Sequence, residues 1–176
     1  TLNVDAGAPI TDWDSDGELM VNFNGSNKYT SYLRNFANAA AVDEMTGDVY
    51  VCGNACSSGS CTAFGAAEHD TMLIRFNSAG QEQDRATITD PYNDAASTCH
   101  DLHIYGGSLY MSTMYATAAF WEVGVFKYAL GSLGVGYTHS HIISDGVSFQ
   151  TVFSGYYATH NLAVGAAGVF VTWRDY

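Results

Sequence analysis

Asp12, Asp14 and Asp16 alternate along Asp12-Trp-Asp14-Ser-Asp16-Gly17-Glu18, the spacing at which carboxylates converge on one hard cation. Gly17 permits the sharp turn such a loop needs, so the stretch is a candidate calcium site. Its twelfth position is Phe23, where a calcium loop of this type supplies a bidentate glutamate. An ordinary Asp-Ser-Asp-Gly turn between two strands accounts for the same residues.

Cysteine supplies the second chemistry. Cys52, Cys56, Cys61 and Cys99 are even in number, and three of them fall in one Ser- and Gly-rich loop. Such a set suits disulfides in an oxidising compartment, with three pairings open. The expected pairs are Cys56–Cys61, closing the small loop, and Cys52–Cys99, tying one part of the chain to the next. A zinc site would call for paired Cys-x-x-Cys knuckles, which are missing.

Histidines gather as His100 with His103, His139 with His141, and His160. His139 and His141 share a strand face, as a metal pair would need. His100 and His160 recur at matching places in the chain, which favours a structural role. Asp43, Glu44, Glu68, Asp70 and Glu122 are the carboxylates from which a glycoside-cleaving pair would have to come. Turn and edge solvation explains each of them. No Gly-x-Ser-x-Gly elbow, His-Glu-x-x-His or phosphate-cradling glycine loop is present, and the expectation is a protein that is not an enzyme. Trp13, Trp121 and Trp173, with Tyr115, Tyr156 and Tyr157, are candidate sugar-stacking faces. Packing between strands is the competing explanation. Asn24-Gly-Ser26 is a glycosylation sequon on an expected hairpin turn.

The balance of 18 acidic against 6 basic residues, net −12, excludes a phosphate-backbone partner, which needs clustered Lys and Arg. It suits a self-repelling surface or one that takes up divalent cations. No apolar run approaches the ~20 residues that span a bilayer as a helix. The sequence opens at Thr1 without a signal peptide, and a mature, trimmed, secreted product is expected.

The elements that must position these residues are strands. Gly47-Asp-Val-Tyr-Val51 returns as Gly107-Ser-Leu-Tyr-Met111 and as Gly168-Val-Phe-Val171, each a glycine turn followed by an alternating apolar run. Similar lead-ins precede them: Asn38-Ala-Ala-Ala-Val42, His100-Asp-Leu-His-Ile104 and His160-Asn-Leu-Ala-Val164. Further hairpins follow at Met72–Phe76 with Asp84–Ile88, and at Val123–Tyr128 with Val135–His141. Leu19–Phe23 and Tyr29–Leu33 form another about the turn Asn24–Asn27. Helical periodicity is weak and glycine frequent, so the chain reads as all-β.

Four-stranded units repeated along a chain are the blades of a β-propeller. Ala41-Val-Asp-Glu-Met-Thr-Gly-Asp-Val-Tyr-Val-Cys-Gly53, with Asp70-Thr-Met-Leu-Ile-Arg-Phe-Asn-Ser-Ala-Gly80, resembles the repeat of the bacterial β-propeller repeat (SBBP-type) proteins. That resemblance implies four-stranded antiparallel blades in a secreted or surface protein, with no shared catalytic site.

The expected layout is a single propeller-like domain over 1–176: an outer hairpin at 19–33, blades at 38–88 and 100–141, and an inner half-blade at 160–173. The two half-blades add to one blade, about three in all, while propellers close with 4–8 blades. A chain so cut is expected to self-associate as a homo-oligomer or filament, or to be a fragment, because bare half-blades expose strand edges. The expected role is an extracellular structural subunit, a fibre or surface-layer protomer joined by strand complementation. The alternative is a secreted carbohydrate-binding module, with or without calcium, whose partners are glycans.

Overall fold

The computed structural model describes residues 36–56, 69–88, 96–116, 121–143 and 161–172. Ten strands run through them: β1 (Phe36–Val42), β2 (Val49–Cys56), β3 (His69–Phe76), β4 (Glu82–Ile88), β5 (Ala96–Tyr105), β6 (Ser108–Ala116), β7 (Trp121–Ala129), β8 (His139–Ile143), β9 (Asn161–Gly165) and β10 (Gly168–Thr172). They make two four-stranded antiparallel sheets, ordered β1-β2-β3-β4 and β5-β6-β7-β8, and a two-stranded one of β9 and β10. The fold is all-β, with the first sheet running from Phe36 to Ile88, the second from Ala96 to Ile143 and the third from Asn161 to Thr172. Among the described residues the sheets do not close into a ring. The outer hairpin expected at 19–33 lies outside the described residues.

Glycine sets the tight returns. Gly47 sits at φ 76°, and its N–H donates to the Asp43 carbonyl at 2.7 Å. The Asp43 carboxylate holds the same turn, accepting from the Met45 N–H and the Thr46 hydroxyl at 3.0 Å each. A Cβ at Gly47 would stand 3.0 Å from the Ser78 Cβ, so close approach and backbone angle both demand glycine. Gly106 and Gly107, at φ 57° and 73°, make the two-residue hairpin between β5 and β6.

The return strand expected at Val135–His141 starts later, at His139. Leu133–Val135 instead forms one 3-10 turn that places the fully buried Leu133 in the core. Gly136, at φ 88°, donates its N–H to the Leu133 carbonyl, and the Thr138 N–H then bonds to the Lys127 carbonyl. Burying Leu133 outweighs continuing the strand, since a buried leucine is worth about 1.5–3 kcal/mol.

The main core lies between the two four-stranded sheets. Tyr50, Cys52, Leu73 and Ile88 of the first sheet pack against Leu102, Leu109, Met111, Phe126 and Tyr128 of the second. A smaller cluster, Met72, Ile74 and Phe76 with Val51, occupies the other face of the first sheet.

Both large sheets carry a bulge at the same place. Ala37 opposes Gly53 and Ala39 opposes Cys52, leaving Asn38 as the extra residue. Cys99 opposes Thr113 and Asp101 opposes Ser112, leaving His100. The first two lead-ins therefore share a backbone irregularity, not only a pattern of residue types.

Candidate functional site

Among the described residues the strand β10 has a free flank. Its register with β9 pairs Val164 with Val169 and Ala163 with Phe170. The corresponding pairs are Val42 with Val49 and Ala41 with Tyr50 in the first sheet, and Ile104 with Leu109 and His103 with Tyr110 in the second. So β10 corresponds to β2 and β6, which bond on their far sides to β3 and β7. Among the described residues β10 bonds only to β9. Tyr50 is 1% exposed, and Phe170 at the matching position is 57% exposed, with Val169 beside it at 42%. A long apolar edge left unpaired is a template for another strand.

Among the described residues the Asp101 carboxylate ties this half-sheet to the second sheet. Asp101 Oδ2 accepts from the Leu162 N–H at 2.8 Å, and its Oδ1 accepts from the Leu102 N–H at 2.9 Å. Leu162 is buried beneath it, and β9 lies along β5.

The joint between the two large sheets is far better secured. Asn38 Nδ2 donates to the Cys99 carbonyl at 2.8 Å, to Asn54 Oδ1 at 3.0 Å and to Thr98 Oγ1 at 3.2 Å. The Thr98 hydroxyl in turn donates to Asn54 Oδ1 at 2.8 Å. The Thr71 N–H donates to Ser97 Oγ, the Gly131 N–H to the Tyr50 hydroxyl, and the Gly134 N–H to Asp84 Oδ2, each at 2.9 Å. Burial raises the Tyr50 phenol above its ordinary value, with the Gly131 amide pulling the other way. The Cys52–Cys99 disulfide closes the same joint, as expected from the sequence.

The outward face of the first sheet is covered only in part. Met72, Ile74 and Phe76 on β3 are buried there. Val49 and Val51 on β2 are half-buried, Ala40 on β1 is exposed, and Val42 is 54% exposed. The same positions in the second sheet, Leu102, Ile104, Leu109 and Met111, lie in the core against the first. The inner half of this face is thus the open one.

Of the candidate site residues, Asp12, Asp14 and Asp16, Trp13, Asn24, Cys61, Trp173 and His160 lie outside the described residues. Cys56 ends β2 and Trp121 opens β7, placed by backbone alone, so neither the Cys56–Cys61 pair nor a stacking role is described. His139 and His141 lie two apart on β8, opposite Lys127 and Val125. Asp43 serves its turn, and among the described residues no group of three or more His, Cys, Asp or Glu side chains could hold a metal ion. Asn38, Asn54, Thr98 and Asp101 were not singled out by residue type. Only Asn38 and Asp101 fall in the recurring lead-ins, where Asp101 takes the place of Ala39 and Asn161, and nothing in the residue type marks its role.

Among the described residues no helix is long and apolar enough to cross a membrane. Set beside known proteins, the chain matches no family model, no curated protein and no solved structure.

Proposed function

We propose that this chain is an extracellular structural subunit that assembles head to tail, its sheets acting as propeller-like blades. In this reading the hairpin 19–33 of one copy completes the half-blade β9–β10 of another. The observation that carries it is the flank of β10, which among the described residues bonds only to β9 while its counterparts β2 and β6 bond on both sides. In this reading the stretch Leu19–Phe23 with Tyr29–Leu33, expected from its sequence pattern to be an outer hairpin, supplies the missing strand.

Reach favours a second copy over self-closure. From Leu33 to Phe36 the chain takes three Cα steps, at most about 11 Å. The flank of β10 lies beyond the second sheet from β1, and two sheet spacings come to roughly 20 Å. In this reading the hairpin, tethered closely to β1, meets the β9–β10 pair of a neighbour beside the first sheet. Such a contact is heterologous, so it generates a ring or an open filament. The Cys52–Cys99 disulfide and the acidic, self-repelling surface suit an oxidising, extracellular setting.

Light scattering with negative-stain microscopy on the native particle is the test, repeated after deleting Leu19–Leu33. Rings or long regular particles that fall apart into folded single copies on deletion are the expected result. A folded monomer from the intact chain overturns the reading.

A further inference from the structure

We propose that successive copies also stack face to face, the free face of the half-sheet seating on the open inner half of the next copy's first sheet. This rests on the head-to-tail reading above and names the surface that accompanies the shared blade. The argument is continuity with the joint already inside the chain. There, the first sheet presents Ala39, Ala41, Tyr50 and Cys52 to Leu102, Leu109 and Met111 of the second. By hairpin register, the positions matching Ala39, Ala41, Tyr50 and Cys52 are Asn161, Ala163, Phe170 and Thr172. All four are exposed. The positions matching Leu102, Ile104, Leu109 and Met111 are Ala40, Val42, Val49 and Val51, the open half of the first sheet.

The described residues thus carry both halves of the internal joint, one on the outer face of the first sheet and one on the free face of the half-sheet. Ala40 stands where the second sheet has Leu102, and Phe170 where the first has Tyr50. Phe170 has no hydroxyl, so burying it leaves no polar atom to satisfy. A second copy of this chain is therefore the occupant of both faces.

The native disulfide supplies a ruler. Cys52 and Cys99 cross the internal joint with Cα atoms 6.0 Å apart. Their counterparts at the two free faces are Thr172 and, through the shared bulge, Ala37. Both are exposed, so replacing them leaves the core intact.

The test is the double variant Ala37→Cys with Thr172→Cys, assembled and run without reductant. A ladder of covalently linked copies is expected, collapsing to single chains when reduced, with the bond mapped to the two introduced thiols. Mixing copies that carry one substitution each should stop at dimers. The control pair Ala37→Cys with Ala166→Cys, at the β9–β10 turn, should give no ladder. Assembled particles without a ladder overturn the face-to-face contact while leaving the shared blade standing. A bond within one chain overturns it in favour of self-closure. A wild-type monomer removes the head-to-tail reading and this contact together.

Discussion

Cys52 on β2 and Cys99 on β5 are bonded across the face where the two large sheets meet, and both are fully buried. The bond spans a sequence separation of 47 residues. Closing a loop of that size in the unfolded chain is worth about 4 kcal/mol on chain-entropy grounds. The variant Cys52→Ala with Cys99→Ala is expected to lose stability of that order in a urea titration. With no exposed sulfur, the native bond should resist mild reductant in folded protein and yield once denaturant is added. Rapid reduction of the folded protein would contradict the burial.

Asn38 is the second tie across that joint, and its worth lies in being a donor. Its amide faces three acceptors, Asn54 Oδ1, Thr98 Oγ1 and the Cys99 carbonyl. Asn38→Ala leaves these short of a donor and should cost about 1–3 kcal/mol. Asn38→Asp should cost more, because a carboxylate offers further acceptors to a group that already has them. Thermal melts of the two variants should rank wild type above Ala and Ala above Asp; an Asp variant as stable as wild type would refute the assigned network.

Much of this architecture was legible in the chain because its cues are local. Gly47, Gly107 and Gly168 each precede a period-two apolar run, and each proved to be the return of a hairpin. The Cys52–Cys99 pair followed once Cys56 and Cys61 were assigned to closing their own small loop. The return strand expected from Val135 begins later, at His139, because Val135 belongs to the 3-10 turn that carries Leu133 into the core. No local cue in the sequence marks that turn. Asp101 was illegible for a different reason: its partner is the backbone N–H of Leu162, and any non-proline residue supplies that donor. The Asn38 network was hidden likewise, since the extra residue of a bulge has no partner across the strand to betray it.

Tyr50 links the core to alkaline stability. Burial is the main cause of its raised pKa, and the neutral phenol is the form the fold favours. Below the unfolded chain's value, near 10, both states keep the proton and the contribution is whole. As pH climbs past that value the unfolded chain releases its proton first, so stability falls until the folded phenol ionises too. Tyr50→Phe should flatten this part of the alkaline decline. It should also cost about 1 kcal/mol at neutral pH, since the Gly131 N–H loses its acceptor. Urea titrations of both proteins between pH 8 and about 11 read both effects, and parallel declines would rule out the Tyr50 assignment.

Asp101 decides how firmly the half-sheet is presented for assembly. Its carboxylate accepts the Leu162 N–H, and a hydrogen bond to a charged group is worth about 1.5–3 kcal/mol. Asp101→Ala should therefore loosen residues 161–172 while leaving the first sheet as it was. Hydrogen exchange is the measurement: amides of β9 should lose protection, and those of β2 and β3 should keep theirs. Because β9 must be held for β10 to be offered as an edge, assembly should also slow or weaken in the same variant. Asp101→Asn retains one acceptor oxygen and should fall between the two. If β9 exchanges at the wild-type rate in the alanine variant, then burial of Leu162 alone docks the half-sheet, and the carboxylate is not its latch.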